Sequence, residues 1–392
     1  MHDPRPVVLF AGGGTGGHLY PALALADALG DIRGDVRAVF VGARRGVEAR
    51  VLPERGVEHV LLPIRGLRRG RGLGELMGVA PALARSFAAA WALFSRLRPE
   101  LVVVTGGYAG APAGLVAVAR RVPLVLQEQN SVPGQVTRRL APWARRIHLA
   151  FPEAVAQLPA RARDRCVVSG NPIRHPMAAP PAEARRTLGL DRELPVLLVV
   201  GGSQGSSALN RAVVDMLLAA RGSGLALGMQ ILWSTGPAHE ADVREALGAV
   251  PTDVHVLPYL TDMPTALAAT TLALSRAGAM ATSEFLACGT PAILVPLPTA
   301  AADHQAHNAR ALGEAGAAIH LPEAELTGAA LFETVRALLD DPGRRAALSS
   351  IARSRGRPGA ARDIAADLAG FLPPAGATAG PTAGPTVGGG AA

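Results

Sequence analysis

The sequence predicts an α/β protein of two doubly wound, parallel-sheet domains in tandem. Short runs rich in Val and Leu recur along the chain, with helical stretches between them. These runs are apolar throughout instead of alternating, as strands covered on both faces are. The two halves also open alike: Val8–Phe10 leads into Gly12–Gly17, and Val196–Val200 leads into Gly201–Gly205. Each opening is a strand, a glycine turn and a helix, a layout that brings backbone N–H groups to a phosphate. Two such domains facing each other would form a cleft at the carboxyl ends of their sheets.

In the first half the expected strands are Val7–Ala11, Val36–Val41, Val57–Leu62, Leu101–Val104, Leu124–Leu126 and Arg146–Ala150, with helices over Glu75–Leu97 and Pro112–Arg120. Gly170, Asn171, Pro172, Pro176, Pro180 and Pro181 cluster within Cys166–Pro181, which reads as a linker. The pattern then restarts with strands Val196–Val200, Gln230–Trp233, Val254–Leu257, Leu272–Leu274 and Ala292–Val295. Helices are expected over Ser206–Ala220, Met280–Cys288, Gln305–Ala315, within Glu325–Ser354 and over Ala360–Leu372. Pro373–Ala392, with its repeated Ala-Gly-Pro-Thr, reads as a disordered tail.

Length and composition agree with two cores: 392 residues, 49% hydrophobic and 18% charged. The chain has no lysine, so all 39 basic residues are Arg, and the net charge is +8. That balance favours anionic partners without choosing among them. Cys166 and Cys288 lie far apart without metal-ligand spacing, and a reducing compartment is expected. No secretory leader and no membrane-spanning run is read, so membrane contact should be peripheral.

The first glycine loop also fits G-x-G-x-x-G at Gly12, Gly14 and Gly17. A dinucleotide site needs an acidic residue after the second strand, and Gly42-Ala43-Arg44-Arg45 stands there, so NAD is disfavoured; an Arg could accept the 2′-phosphate of NADP, but an NADP oxidoreductase would give the second glycine loop and Glu284 no role. His18 follows the loop and is either a general base or a helix-entry residue. Thr105-Gly106-Gly107-Tyr108 and Gln127-Glu128-Gln129-Asn130 follow apolar strands, and their amides and hydroxyls suit sugar hydroxyls. Ser275-Arg276-Ala277-Gly278-Ala279-Met280-Ala281-Thr282-Ser283-Glu284 is a strand end, a small-residue turn and a helix start, suited to a diphosphate, with Glu284 placed for ribose hydroxyls. Asp303-His304-Gln305 with Asn308 brings polar groups to another helix start. No metal site is expected, since Asp303 and His304 lack a third ligand at suitable spacing.

Taken in order, Gly13–His18, Gly106-Gly107-Tyr108, Glu128-Gln129-Asn130 with Pro133-Gly134, Gly170–Arg174, Gly201–Gly205, Arg276–Glu284 and His304-Gln305 with Asn308 form a set. The set resembles the MurG family, UDP-N-acetylglucosamine transferases that convert lipid I to lipid II in peptidoglycan synthesis, over about Val7–Leu372. The resemblance implies a GT-B fold of two Rossmann-like domains, 1–165 for the acceptor and membrane and 166–357 for the donor. A C-terminal helix, about 358–372, would return to the first. It implies inverting transfer of GlcNAc from UDP-GlcNAc to the C4 hydroxyl of MurNAc in undecaprenyl-diphosphoryl-MurNAc-pentapeptide. No cofactor and no nucleic acid enter, and the enzyme would be peripheral at the cytoplasmic face of the cell membrane. Carried over by position, Thr15, Gly16, Gly17, Asn130, Arg174, Ser203, Leu260, Ala279–Glu284 and Gln305 would contact donor, with Tyr108, Arg276 and Asn308 beside them. Glu284 would hold the ribose, the Leu260 backbone the uracil, Ser203 a phosphate and Gln305 the GlcNAc hydroxyls. His18 or Glu128 would be the base. A histidine commonly precedes the Glu-Gln-Asn triplet in that family, and Gln127 stands there in this sequence.

Alternatives on the same fold are a UDP-GlcNAc 2-epimerase or a diacylglycerol glycolipid transferase. A non-enzymatic scaffold for other cell-wall synthesis proteins is a third. A lipid-linked acceptor also calls for a docking segment. Leu62–Met77 fits, with Leu62, Ile64, Leu67, Leu73, Leu76 and Met77 interleaved with Arg65, Arg68, Arg69 and Arg71 to meet an anionic surface.

Overall fold

The computed structural model describes residues 5–64, 73–173, 179–224 and 226–375, apart from the side chains of 73–80 and of Ala301. Thirteen strands are present among them: β1 Val7–Gly12, β2 Arg37–Ala43, β3 His59–Leu62, β4 Leu101–Gly106, β5 Leu124–Glu128, β6 Arg146–Leu149, β7 Cys166–Val168, β8 Val196–Val200, β9 Gln230–Ser234, β10 Val254–Leu257, β11 Leu272–Ser275, β12 Ala292–Leu294 and β13 Ile319–His320. One sheet has the order β3-β2-β1-β4-β5-β6-β7, the other β10-β9-β8-β11-β12-β13. β1 pairs in parallel with β2 and β4, and β8 with β9 and β11. The strand order therefore reverses beside β1 and again beside β8. At such a reversal the two following loops leave in opposite directions and open a ligand crevice beyond the strand ends.

The chain falls into two compact units, one holding residues up to Val125 and from Ile364 on, the other Leu126–Asp363. In the second unit, successive residues of β8 enter different cores. Leu197 and Val199 pack with Trp233, Leu274 and Val335, whereas Val196, Leu198 and Val200 pack with Leu232, Phe285 and Leu294. A strand that feeds apolar side chains to both faces reads as a continuous run, hence Val-Leu-Leu-Val-Val. In the first unit, Val8 and Phe10 of β1, Phe40 of β2, and Leu101 and Val103 of β4 share a core with Leu19, Leu23, Leu25 and Leu29 of the helix Gly16–Ile32. Ile364, Ala365 and Leu368 of the helix Ala360–Ala369 complete that core.

The predicted strands all form, β2, β4 and β5 ending two residues later than read. The reading of Cys166–Pro181 as a linker is corrected at its start. Cys166–Val168 is β7, paired with β6 from Ile147↔Cys166 to Leu149↔Val168. Three residues at a sheet edge, with Val167 exposed, carry too little pattern to read. The two-residue β13 and the helices Glu240–Leu247 and Met263–Ala269 also went unread. Among the described residues no helix is long and apolar enough to cross a membrane, and no group of three or more His, Cys, Asp or Glu could hold a metal ion.

Candidate active site

In the second unit the loops after β8 and β11, on either side of the order reversal, open onto one cavity of about 340 Å³. Its walls include Gly201, Gly202, Gly205 and Ser206 after β8, and Arg276, Gly278 and Ala281 after β11. Two helices start there. Ser206 caps the helix Ser207–Gly222, its side chain accepting from the Leu209 N–H, and Gly278 precedes the helix Ala279–Cys288. Helix starts present unpaired N–H groups and a partial positive charge, and two aimed at one cavity suit an anion. Gly205 has φ +75°, and a Cβ there would strike the carbonyl oxygen of Thr235, so the loop after β8 must be glycine at this position.

Arg276 adds a full positive charge but is not mobile. One guanidinium nitrogen lies 2.6 Å from Glu323, and another donates to the carbonyls of Val295 and Pro296. Gln305 is held by its Oε1, which accepts the Leu297 N–H at 3.0 Å, so its amide nitrogen is the end offered to a ligand. Leu297 and Gln305 both line the cavity, and between them Ala302 and Asp303 adopt left-handed φ of 58° and 57°. Such non-glycine strain persists only where the surroundings impose it, and it gathers at ligand-binding segments.

Behind the cavity the loop after β5 is braced by buried polar side chains. Asn171 donates to Ser283 Oγ at 2.9 Å and to the carbonyls of Gln129 and Ala279, and accepts from Gln127. Asn308 accepts from both the N–H and the hydroxyl of Ser131 and donates to Asn130 Oδ1 and the Ala277 carbonyl. Glu128 is buried, and both carboxylate oxygens are engaged. Oε1 accepts from the Asn130 backbone and side chain, and Oε2 from the Gly134 N–H at 2.9 Å and the Thr137 hydroxyl at 2.6 Å. The donors to Glu128 come from the loop after β5 and the helix Gln135–Leu140 that follows it, so the carboxylate fixes the shape of that turn.

In the first unit His18 stands where the loops after β1 and β4 meet. Its Nδ1 lies 3.0 Å from the Thr105 carbonyl, and the Thr105 hydroxyl donates back to the His18 carbonyl at 2.7 Å. A carbonyl oxygen only accepts, so Nδ1 carries the proton of the neutral ring and Nε2 carries the lone pair. Gly106 and Gly107 press on the imidazole, since a Cβ at either would fall 2.9 Å from a ring atom. Tyr108 packs against Gly14, whose φ is +90° and whose added Cβ would lie 2.6 Å from the ring. Burial and then the nearby Glu48 carboxylate push the Tyr108 phenol above its usual range, so it stays a neutral hydroxyl.

Among the residues singled out from sequence, Arg276, Ala281 and Gln305 line the cavity. Glu284, Met280 and Thr15 are at least partly accessible, and Ser203 is exposed on the loop after β8. Thr282, Ser283, Asn308 and Leu260 are buried, Leu260 within the apolar core and Thr282 donating to the Gly278 and Ala279 carbonyls. Thr15, Gly16, Gly17, His18 and Tyr108 lie together at the carboxyl end of β1. Arg174 and most of the Leu62–Met77 segment lie outside the described residues. The sequence reading missed Ser207 and His239 of the cavity wall, and Glu48 beside the first glycine loop. His239 could have been found, because it stands at the start of a helix shortly after β9.

Residues 8–149 match the glycosyltransferase family 28 N-terminal domain, and residues 196–364 the glycosyltransferase family 28 C-terminal domain. The UDP-N-acetylglucosamine--N-acetylmuramyl-(pentapeptide) pyrophosphoryl-undecaprenol N-acetylglucosamine transferase of Salinibacter ruber is 43% identical over 372 residues, covering 94% of this chain and 97% of that protein. The crystal structure of Acinetobacter baumannii MurG is 26% identical with a TM-score of 0.73, over 94% of this chain and 100% of that one. A UDP-GlcNAc 2-epimerase from Neisseria meningitidis, bound to UDP-GlcNAc, aligns over 93% of this chain and 99% of its own with a TM-score of 0.60. At 14% identity, that likeness is one of fold alone.

Proposed function

Because the chain belongs to glycosyltransferase family 28 and, within it, to the MurG family of N-acetylglucosaminyltransferases, we propose that it moves GlcNAc from UDP-GlcNAc to the C4 hydroxyl of MurNAc in undecaprenyl-diphosphoryl-MurNAc-pentapeptide. The observation that carries the donor half is the cavity where the loops after β8 and β11 converge two helix starts and Arg276. There the N–H groups around Gly201–Gly205 and Gly278–Ala281 would hold the diphosphate and stabilise charge on the departing UDP. Gln305 would take GlcNAc hydroxyls with its amide nitrogen. Residues 166–357 thus bind donor and residues 1–165 acceptor. The single transfer inverts the anomeric carbon: the acceptor oxygen attacks opposite the leaving diphosphate as its proton passes to a base.

His18 is our choice of base over Glu128. The Nδ1 bond to Thr105 sets the tautomer that puts the basic lone pair on Nε2, whereas the Glu128 carboxylate shapes the turn between β5 and the helix Gln135–Leu140. Ala281 lines the cavity and Glu284 follows one turn later on the same helix face, which supports the reading that its carboxylate accepts both ribose hydroxyls. Glu284→Ala should weaken UDP binding by about 2 kcal/mol, roughly thirtyfold, because the hydroxyls lose a charged acceptor. Titration calorimetry of UDP measures this directly. An unchanged affinity in the folded variant would remove Glu284 from the ribose site.

The lipid-linked acceptor requires contact with the cytoplasmic face of the membrane. Beyond the Leu62–Met77 segment, the helix Leu73–Leu97 supports such contact with an outward apolar stripe: Leu83, Phe87 and Trp91, four residues apart and all exposed. The Phe87 and Trp91 rings are 6.1 Å apart, and the Arg120 guanidinium lies 4.9 Å from the Trp91 ring centroid. An exposed aromatic stripe carrying an arginine suits the boundary between headgroups and acyl chains. Leu83→Gln with Trp91→Gln should strongly reduce sedimentation with anionic vesicles while transfer to a short-chain, water-soluble acceptor persists. Wild-type vesicle binding by this double variant would place the docking face elsewhere.

A further inference from the structure

The two glycine loops look equivalent in sequence, and the structure separates them. The second opens onto the cavity, and none of the residues lining that cavity is acidic. The first already holds an anion. Glu48, fully buried at the start of the helix Glu48–Glu54, accepts the Gly14 N–H on both carboxylate oxygens, at 3.0 and 2.9 Å. Its Oε1 also accepts the Ala43 N–H at 2.8 Å. Gly14 follows β1 and Ala43 ends β2, so the carboxylate ties together the loop ends of two paired strands. Three glycines make room for it. A Cβ on Gly13 or Gly46 would overlap the carboxylate, and one on Gly42 would overlap the Glu48 side-chain stem.

We propose that Glu48 is the resident anion of the first glycine loop. It takes the Gly14 amide that a phosphate in this loop would otherwise take, so the loop receives an uncharged, hydroxyl-bearing part of the substrates and the diphosphate of neither. The inference refines the transferase reading and rests on it. Concave loops of successive N–H groups bind phosphate because they are short of electrons and open. Here the Gly14 amide is spent on a carboxylate that burial leaves poorly screened, and a phosphate beside it would meet like charge. The other group against Gly14 is the neutral Tyr108 ring. A surface of phenol, threonine hydroxyl and glycine backbone suits sugar hydroxyls. By fixing Gly14, Glu48 also sets the entry of the helix that carries His18, which makes it a positioning residue for the base.

The test uses full-length protein labelled with 15N-glycine, with inorganic pyrophosphate and then UDP as probes. In the wild type, pyrophosphate should shift the Gly202 and Gly205 amide signals and leave Gly14 in place. A saturable Gly14 shift would overturn the inference. UDP is the independent control: if Gly202 and Gly205 ignore it, the donor assignment fails, while the Gly14 result is still read separately. Glu48→Ala, which vacates the nest, should lose about tenfold or more in kcat with UDP affinity unchanged. Formate should restore kcat and shift Gly14, and uncharged formamide should do neither. A folded Glu48→Ala enzyme that keeps full kcat, or that formamide rescues as well as formate, would also overturn the inference. Should that variant not fold, the wild-type pyrophosphate titration decides alone.

Discussion

His18→Ala is expected to lower kcat about a hundredfold or more while leaving UDP affinity within about twofold. An attacking sugar hydroxyl is a very weak acid, so its proton must leave as the new C–O bond forms, and a positioned imidazole supplies that path. The Thr105 carbonyl fixes the ring's tautomer and the two glycines after it fix its plane, so the lone pair is preorganised. His18→Gln should not rescue, because an amide accepts no proton near neutral pH. His18 lies in the first unit and the cavity between the loops after β8 and β11 in the second, so calorimetry with UDP should not register the loss. A variant with normal kcat and a raised donor KM would make His18 a positioning group and return Glu128 to candidacy.

The second large effect is on stability. Asn308→Ala should destabilise the protein by roughly 3 kcal/mol, lowering Tm by about 6–12 °C. Asn308 is fully buried and all its polar atoms are used, toward Ser131 on one side and Asn130 and Ala277 on the other. Alanine would strand a buried N–H, a hydroxyl and a carbonyl without partners, and unpaired buried groups cost more than a hydrogen bond gains. Asn308→Asp should do no better, since a carboxylate cannot donate to the Ala277 carbonyl. Thermal denaturation with and without UDP checks both. A Tm within a degree of wild type would show that the network is not cooperative.

How much was legible depended on whether a signal was local. The apolar runs gave the strands because burial on both faces leaves no room for polar residues, as β8 shows. The segment Ser275–Glu284 was readable because a strand end, a small-residue turn and a helix start follow one another in the chain. Glu48 was not, because it lies among Arg44, Arg45 and Arg50 in what reads as a solvated basic stretch, and its Gly14 partner is 34 residues away. Asn171 was hidden the same way, inside a Pro- and Gly-rich stretch that reads as linker although the side chain is buried. For Asn308 and Glu128 the sequence showed polar groups beside a ligand edge but not which way they turn: the structure turns Glu128 onto the turn that follows β5, and Asn308 onto the loops after β5 and β11. For His18 the residue was visible, whereas the placement of its proton came only with the Thr105 carbonyl, 87 residues away.

The packing of Ile364, Ala365 and Leu368 into the first core bears on how the protein is made. A chain emerges from the ribosome N-terminus first, and domains generally fold as they appear. Here residues 5–125 emerge with the apolar sites that face Ile364 and Leu368 uncovered, and they stay so until the entire second unit has been synthesised. The first unit is therefore expected to stay incompletely packed until the second has been synthesised. Removing the chain from Ile364 onward is consequently a lesion of the first unit, although every deleted residue follows the second unit in the sequence.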